Sequence, residues 1–206
     1  MEIIQSIKSG LTEERLSKYE RSAALRQDMT VILENVHDPH NIGAVIRSCD
    51  AVGIGEIYVI QTEGPLEEYL IKSKSARGAY KWVDTHLFDN RVECITAVRK
   101  KYNRIYGTHL SETATSLYDL DLSGNVALMF GNEHAGISDE ALSYLDGNFI
   151  IPQYGMVQSL NISVACAVSL FEASRQRDIK GLYNESFESN NMKHQAQLDK
   201  FILSNI

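Results

Sequence analysis

From Met29 onward, short runs of β-branched and aromatic residues alternate with longer amphipathic stretches, which restricts the chain to an α/β fold: a mainly parallel sheet flanked by helices. Met29 to Leu33, Glu56 to Ile60, Arg104 to His109, Val126 to Phe130 and Asn148 to Ile151 read as central strands, and Lys81 to Leu87 as an edge strand. Ile42 to Val52, Asn90 to Lys101 and Ser138 to Leu145 read as intervening helices. The strongest helical period follows Ser159. There Leu160, Val164, Val168 and Phe171 recur on one face, predicting a helix that runs to about Arg177.

The flanks differ from this core. Thr12 to Leu25 reads as an appended helix with Thr12 as its N-cap. After Gly181 the chain turns polar, and Glu185 to Lys193 is rich in Ser, Asn and Glu before an apolar end at Phe201, Ile202 and Leu203, so a mobile tail that docks weakly or not at all is expected. The division is a helical extension over residues 1–28, a main domain over 29–180 and a tail over 181–206. At 206 residues and 44% hydrophobic, the chain can bury one substantial core. Its apolar runs fall far short of the roughly twenty residues a membrane helix needs. Met1-Glu2-Ile3-Ile4 carries an acid where a secretory signal carries bases, so the expected location is cytoplasmic. Cys49, Cys94 and Cys166 are odd in number and far apart, which reads as reduced, buried thiols. The His37-x-x-His40 pair lacks the companions of a zinc site, and no metal is predicted.

A net charge of −7 argues against a protein that coats nucleic acid indiscriminately, because such binding neutralises many phosphates. A local basic surface is still present: Lys72, Lys74, Arg77 and Lys81 lie beside Tyr80 and Trp82 with no acid between them. Both a solvated loop and an RNA contact fit that pattern. The group Arg99, Lys100, Lys101 and Arg104 reads as a helix C-terminus favoured by the macrodipole.

The glycine fingerprint of dinucleotide-binding folds, the phosphate loop of NTPases and the nucleophile elbow of hydrolases are all absent. Three polar segments remain. Asn41 to Arg47 follows the first strand, Gly131-Asn132-Glu133 follows the apolar run Val126 to Phe130, and Ser159-Leu160-Asn161 feeds the strongest helix. Each alone also suits an ordinary role: a capped helix with a salt-bridging arginine, a turn with a solvated glutamate, and a cap at Ser159. Carboxyl ends of strands in open α/β sheets are nonetheless where ligands bind.

Together, in order and suitably spaced, the three segments resemble the motifs of the SpoU-type, or TrmH-type, branch of the SPOUT RNA methyltransferases, over roughly Leu11 to Tyr183. Leu33 to Asn41, the leading helix and Arg175-Gln176-Arg177 look most like those members that methylate guanosine 18 of tRNA. The resemblance implies a C-terminal trefoil knot, a homodimer with its active site at the interface, a tRNA substrate and S-adenosyl-L-methionine as methyl donor. The donor would lie against backbone groups of Thr108, Gly131, Ile151, Met156, Ser159 and Leu160. Arg47 matches the family's essential arginine, and Asn41, Glu133, Ser159 and Asn161 complete the implied catalytic set. Because a guanidinium stays protonated in proteins, Arg47 is better suited to clamping a phosphate and stabilising a developing oxyanion than to acting as a base. Three rivals are a relative acting on ribosomal RNA or the anticodon loop, a non-catalytic RNA-binding protein, which the five intact polar residues count against, and a nucleotide-dependent α/β oxidoreductase, which the missing glycine fingerprint disfavours.

Overall fold

The computed structural model describes residues 2–64 and 79–204. Two helices, α1 (Glu2–Ser9) and α2 (Glu13–Ala24), precede the sheet. The main body then runs β1 (Met29–Glu34), α3 (Pro39–Ala51), β2 (Glu56–Ile60), β3 (Asp84–Phe88), α4 (Arg91–Arg99), β4 (Arg104–Thr108) and β5 (Thr115–Ser116). It continues through β6 (Val126–Phe130), α5 (Asp139–Leu142), β7 (Gly147–Ile150) and α6 (Ile162–Ile179), and α7 (Met192–Leu203) closes the described chain. Among the described residues there is one seven-stranded sheet, parallel at every pairing, in the order β3-β2-β1-β6-β4-β7-β5.

Every residue of β1 and β6 is buried, as a strand covered on both faces requires. Side-chain alternation divides the core into two layers. Val31 and Leu33 pack with Ile42, Val45, Ile46 and Cys49 of α3 and with Ile162, Cys166, Leu170 and Ala173 of α6. Ile32 points the other way, joining Tyr58 and Ile60 with Cys94, Ile95 and Val98 of α4 and Ala141 of α5. Burial pushes the Cys94 thiol up to about 12 and raises Cys49 and Cys166 as well, which keeps all three inert.

The expected strands and helices are present within a few residues of their read boundaries, with β3 at the sheet edge. The two-residue β5 carries too short a pattern to be read. The helix after Ser138 is one turn rather than two, with Ser138 as its cap. The tail departs most from expectation. Instead of a mobile segment, Asn191 caps a helix by accepting from the backbone N–H groups of Lys193 and His194. Leu198, Phe201 and Ile202 bury one face of that helix against Tyr19 and Ala23 of α2. Spacings of i, i+3, i+4 on α7 meet i, i+4 on α2, so a small apolar stripe holds a segment whose composition is otherwise polar. Lys200 reaches Asp84 at 2.7 Å and adds a polar tie to β3.

At the amino edge of the sheet, the Glu56 carboxylate accepts from Tyr58 Oη at 3.1 Å, Tyr102 Oη at 2.8 Å and Lys101 Nζ at 2.7 Å, and meets His86 Nε2 at 2.9 Å. Burial alone would raise its pKa. The hydrogen bonds from His86, Lys101 and Tyr102 outweigh that and hold it at about 2. Lys101 is thus occupied, as is Arg99, which pairs with Asp146 at 2.6 Å. A carboxylate with a lowered pKa contributes stability above its unfolded value of 4.5 and loses it as pH falls through about 2. Glu56→Gln should lower stability at pH 7 by roughly 3 kcal/mol. It should also flatten the pH dependence of urea unfolding between pH 4.5 and 2, relative to the unmodified protein.

Candidate active site

Parallel register brings the three polar segments to one edge. β1, β6, β4 and β7 are neighbours, so Asn35, Gly131, His109 and Ile151 emerge side by side at their carboxyl ends. Asn35 adopts a left-handed backbone conformation (φ 51°), which asparagine tolerates better than most residues, and turns the chain out of β1. Its Oδ1 accepts from the Thr62 backbone N–H at 2.9 Å, tying the loop to the exit of β2. Its carbonyl oxygen accepts from Asn132 Nδ2 at 2.8 Å, tying it to the exit of β6.

The loop after β6 is tight. Asn132 and Gly136 exchange both backbone hydrogen bonds, at 3.0 and 2.9 Å, and Asn132 Oδ1 accepts from the N–H groups of His134 and Ala135. A Cβ at Gly131 would collide with the backbone of Gly136 and Ile137, so only glycine fits. The loop's far end is held by the buried Glu34 carboxylate. It accepts from Ser138 N–H at 2.9 Å and Ser138 Oγ at 2.7 Å, and it pairs with Arg91. Glu34, Ser138 and Arg91 stand outside the three polar segments; a carboxylate ending a fully buried strand is the signal for Glu34, and nothing local marks its two partners.

Asn41, Glu133 and Asn161 meet. Asn41 lies in the first turn of α3, is only 8% exposed, and donates from Nδ2 to Glu133 Oε1 at 2.9 Å. Asn161 donates from Nδ2 to Asn41 Oδ1 at 3.0 Å. Asn161, not Ser159, caps α6: its Oδ1 accepts from Ser163 N–H at 2.8 Å. Ser159 is exposed in the loop before the cap. Arg47 lies farther along α3, exposed, with no hydrogen-bond or ion-pair partner among the described residues.

Thr108 ends β4, and Gly131 and Ile151 directly follow β6 and β7, so these three expected cofactor residues share one rim. Thr108 Oγ1 reaches the Met129 carbonyl at 3.5 Å across it. The loops leaving the rim hold apolar side chains out in solvent: Leu110 after β4, and Tyr154 (98% exposed) and Met156 (99% exposed) after β7. Leu160 is half-buried beside them. An apolar fringe around backbone amides at strand ends suits an adenine-bearing ligand. Lys81 is exposed but precedes β3 and is not drawn into this rim, and Lys72, Lys74 and Arg77 lie outside the described residues. Among the described residues no cluster of His, Cys, Asp or Glu could hold a metal, and no helix is long and apolar enough to cross a membrane.

A parallel α/β sheet with polar loops knitted together at its carboxyl edge defines a nucleotide- or cofactor-binding enzyme class. The chain belongs to the SpoU rRNA Methylase family, whose model matches residues 28–171. It is 41% identical over 174 residues to a tRNA (guanosine(18)-2′-O)-methyltransferase of Thermus thermophilus, covering 84% of this chain and 88% of that one. The structure is similar to that of the A. aeolicus TrmH/SpoU tRNA modifying enzyme, with a TM-score of 0.79 and 33% identity over 94% of this chain and 98% of that one. It also resembles the SpoU methyltransferase AviRb from Streptomyces viridochromogenes in complex with AdoMet, with a TM-score of 0.65 and 28% identity over 74% and 59% of the two chains.

Gly131→Ala should cost on the order of 3 kcal/mol, because backbone rather than a flexible side chain must move. Thermal unfolding measures that cost. Calorimetry with S-adenosylmethionine should register weaker binding by the same variant.

Proposed function

We propose that the protein transfers the methyl group of S-adenosylmethionine to a ribose 2′-hydroxyl of RNA, with guanosine 18 in the tRNA D-loop as its target. The observation that carries this reading is the meeting of Asn41, Glu133 and Asn161 at the carboxyl edge of the sheet. The similarity to relatives named for that reaction supports the target.

S-adenosylmethionine, when bound, supplies a methyl group on a positively charged sulfur. Thr108, Gly131, Ile151, Met156, Ser159 and Leu160 would hold it, with Ile151, Met156 and Leu160 against the adenine and backbone amides reading its edge. Arg47 clamps an RNA phosphate and stabilises the charge developing on the 2′ oxygen. Its exposure and lack of a partner among the described residues leave the guanidinium available for that task. A guanidinium is a poor base, so the 2′ proton passes to the RNA phosphate. Lys72, Lys74, Arg77 and Lys81 contact the RNA backbone, and Ser159 positions the donor.

The reading includes a second copy of the chain across α6, completing the site from the partner's side. Val164 and Phe171 lie two turns apart on one face of α6 and are 46% and 57% exposed, an apolar surface unsuited to permanent contact with water. It also includes a trefoil knot in the C-terminal part, which accords with β7 entering between β4 and β5, strands that precede it. Residues 29–180 form the catalytic domain, with the extension and tail accessory to it, in a cytoplasmic enzyme without a metal.

The test incubates the protein with labelled donor and unmodified tRNA and rRNA, then maps 2′-O-methyl positions. Label at position 18 of tRNA is expected, and label on rRNA alone overturns the target. Arg47→Ala should lower the single-turnover rate by about 10²–10³-fold with donor affinity unchanged in calorimetry. Phe171→Glu should convert the dimer to a monomer in sedimentation equilibrium; a wild-type monomer at micromolar concentration removes the second copy from the reading.

A further inference from the structure

Both ends of the Asn41 amide are engaged inside the protein, to Glu133 on one side and Asn161 on the other. Asn161 Oδ1 accepts from Ser163 N–H at 2.8 Å and from Ser163 Oγ at 2.6 Å. The direction of this chain is fixed at both ends, because a backbone N–H only donates and an ionised carboxylate only accepts. Each amide between them therefore has one permitted orientation. The chain crosses three segments far apart in sequence: the start of α3, which carries Arg47, the loop after β6, and the start of α6.

We propose that this is a relay of single polarity that holds Arg47's helix in register with the donor loop, and that Asn41, Glu133 and Asn161 are positioning residues. The proposal rests on the methyl-transfer reading and deepens it. Asn41 is buried and has both amide ends occupied, so it acts through its neighbours rather than on RNA. Such a network transmits geometry because each bond polarises the next and every alternative orientation places like groups face to face.

The polarity makes the proposal testable by reversing it. Asn161→Asp still caps α6 through Ser163 but turns an acceptor toward Asn41 Oδ1. If Asn41 flips to satisfy it, the flipped oxygen faces Glu133, and one contact is frustrated either way. Adding Glu133→Gln removes that conflict, since the new amide donates to the flipped Asn41 Oδ1 while Asn41 Nδ2 donates to the new carboxylate at the head of α6. The double variant keeps the total charge and reverses the direction of the two side-chain bonds to Asn41.

Four proteins, wild type, E133Q, N161D and the double variant, are compared by single-turnover methylation of tRNA at saturating donor, by donor calorimetry and by thermal unfolding. E133Q should slow the wild type several-fold, while N161D should cost about tenfold or more. In the N161D background E133Q should instead raise both the rate and the unfolding temperature, by about threefold or more in rate. E133Q lowering both quantities in both backgrounds overturns the relay. Recovery of the unfolding temperature without the rate overturns the positioning role. Should wild type methylate no RNA, the proposed reaction fails, and donor affinity takes the place of the rate in deciding the relay.

Discussion

The hydrogen bond from Asn132 Nδ2 to the Asn35 carbonyl oxygen, 2.8 Å long, joins the exits of β1 and β6, the two strands buried along their whole length. The loops that leave β1, β2 and β6 are tied together at that junction. Backbone leaving two adjacent parallel strands carries unpaired N–H and C=O groups, and here side-chain amides satisfy them in place of ladder bonds. Asn35 closes toward β2, Asn132 closes its own loop, and Glu34 with Ser138 fixes where that loop returns. The loop after β6 is consequently rigid on both flanks, and Glu133 at its tip projects toward α3.

Rigidity and availability are divided between residues. Asn41 is bonded to Glu133 and Asn161, and Asn161 to Asn41 and Ser163, whereas Arg47, on the same helix as Asn41, makes no hydrogen bond within the described protein. A site that must clamp a flexible polyanion benefits from this split, since a preorganised frame costs little to order and the free cation supplies the attraction. The same split reconciles a chain of net charge −7 with an RNA substrate. Arg99, Lys101, Arg175 and Lys180 are each paired with a carboxylate, so these four add little to the attraction.

How much was legible in the sequence follows from the range of each interaction. The sheet was readable because its strands are continuous apolar runs, a local property, and the three polar segments were readable as residue types at spacing. Their junction was not, since Asn41 and Asn161 lie 120 positions apart. Nor does the sequence place the cap of α6 correctly: Ser159 is the candidate it offers, whereas Asn161, an equally good capping side chain two residues on, takes the position. The tail was misjudged for a related reason. The apolar end at Phe201, Ile202 and Leu203 is visible in the sequence, but what orders Phe201 and Ile202 is a complementary stripe on α2 at the other end of the chain, which no local window contains.

The helix after Asn161 shows a subtler limit. Its clear stripe, Leu160, Val164, Val168 and Phe171, has the correct period, yet of its members within α6 only Val168 packs against the core, where the buried apolar residues are Ile162, Cys166, Leu170 and Ala173. Period establishes that a helix has an apolar side and leaves open what that side meets. The first half of α6 is apolar on two sides: Ile162, Cys166 and Leu170 make the inner contact, while Val164 and Phe171 lack an outer one and stay exposed. The proposed second copy supplies the outer one, at the element whose first turn follows Asn161. Association would therefore act on the same helix that anchors the relay, and Val164 and Phe171, two members of the stripe most conspicuous in the sequence, then belong to the assembly rather than to the fold.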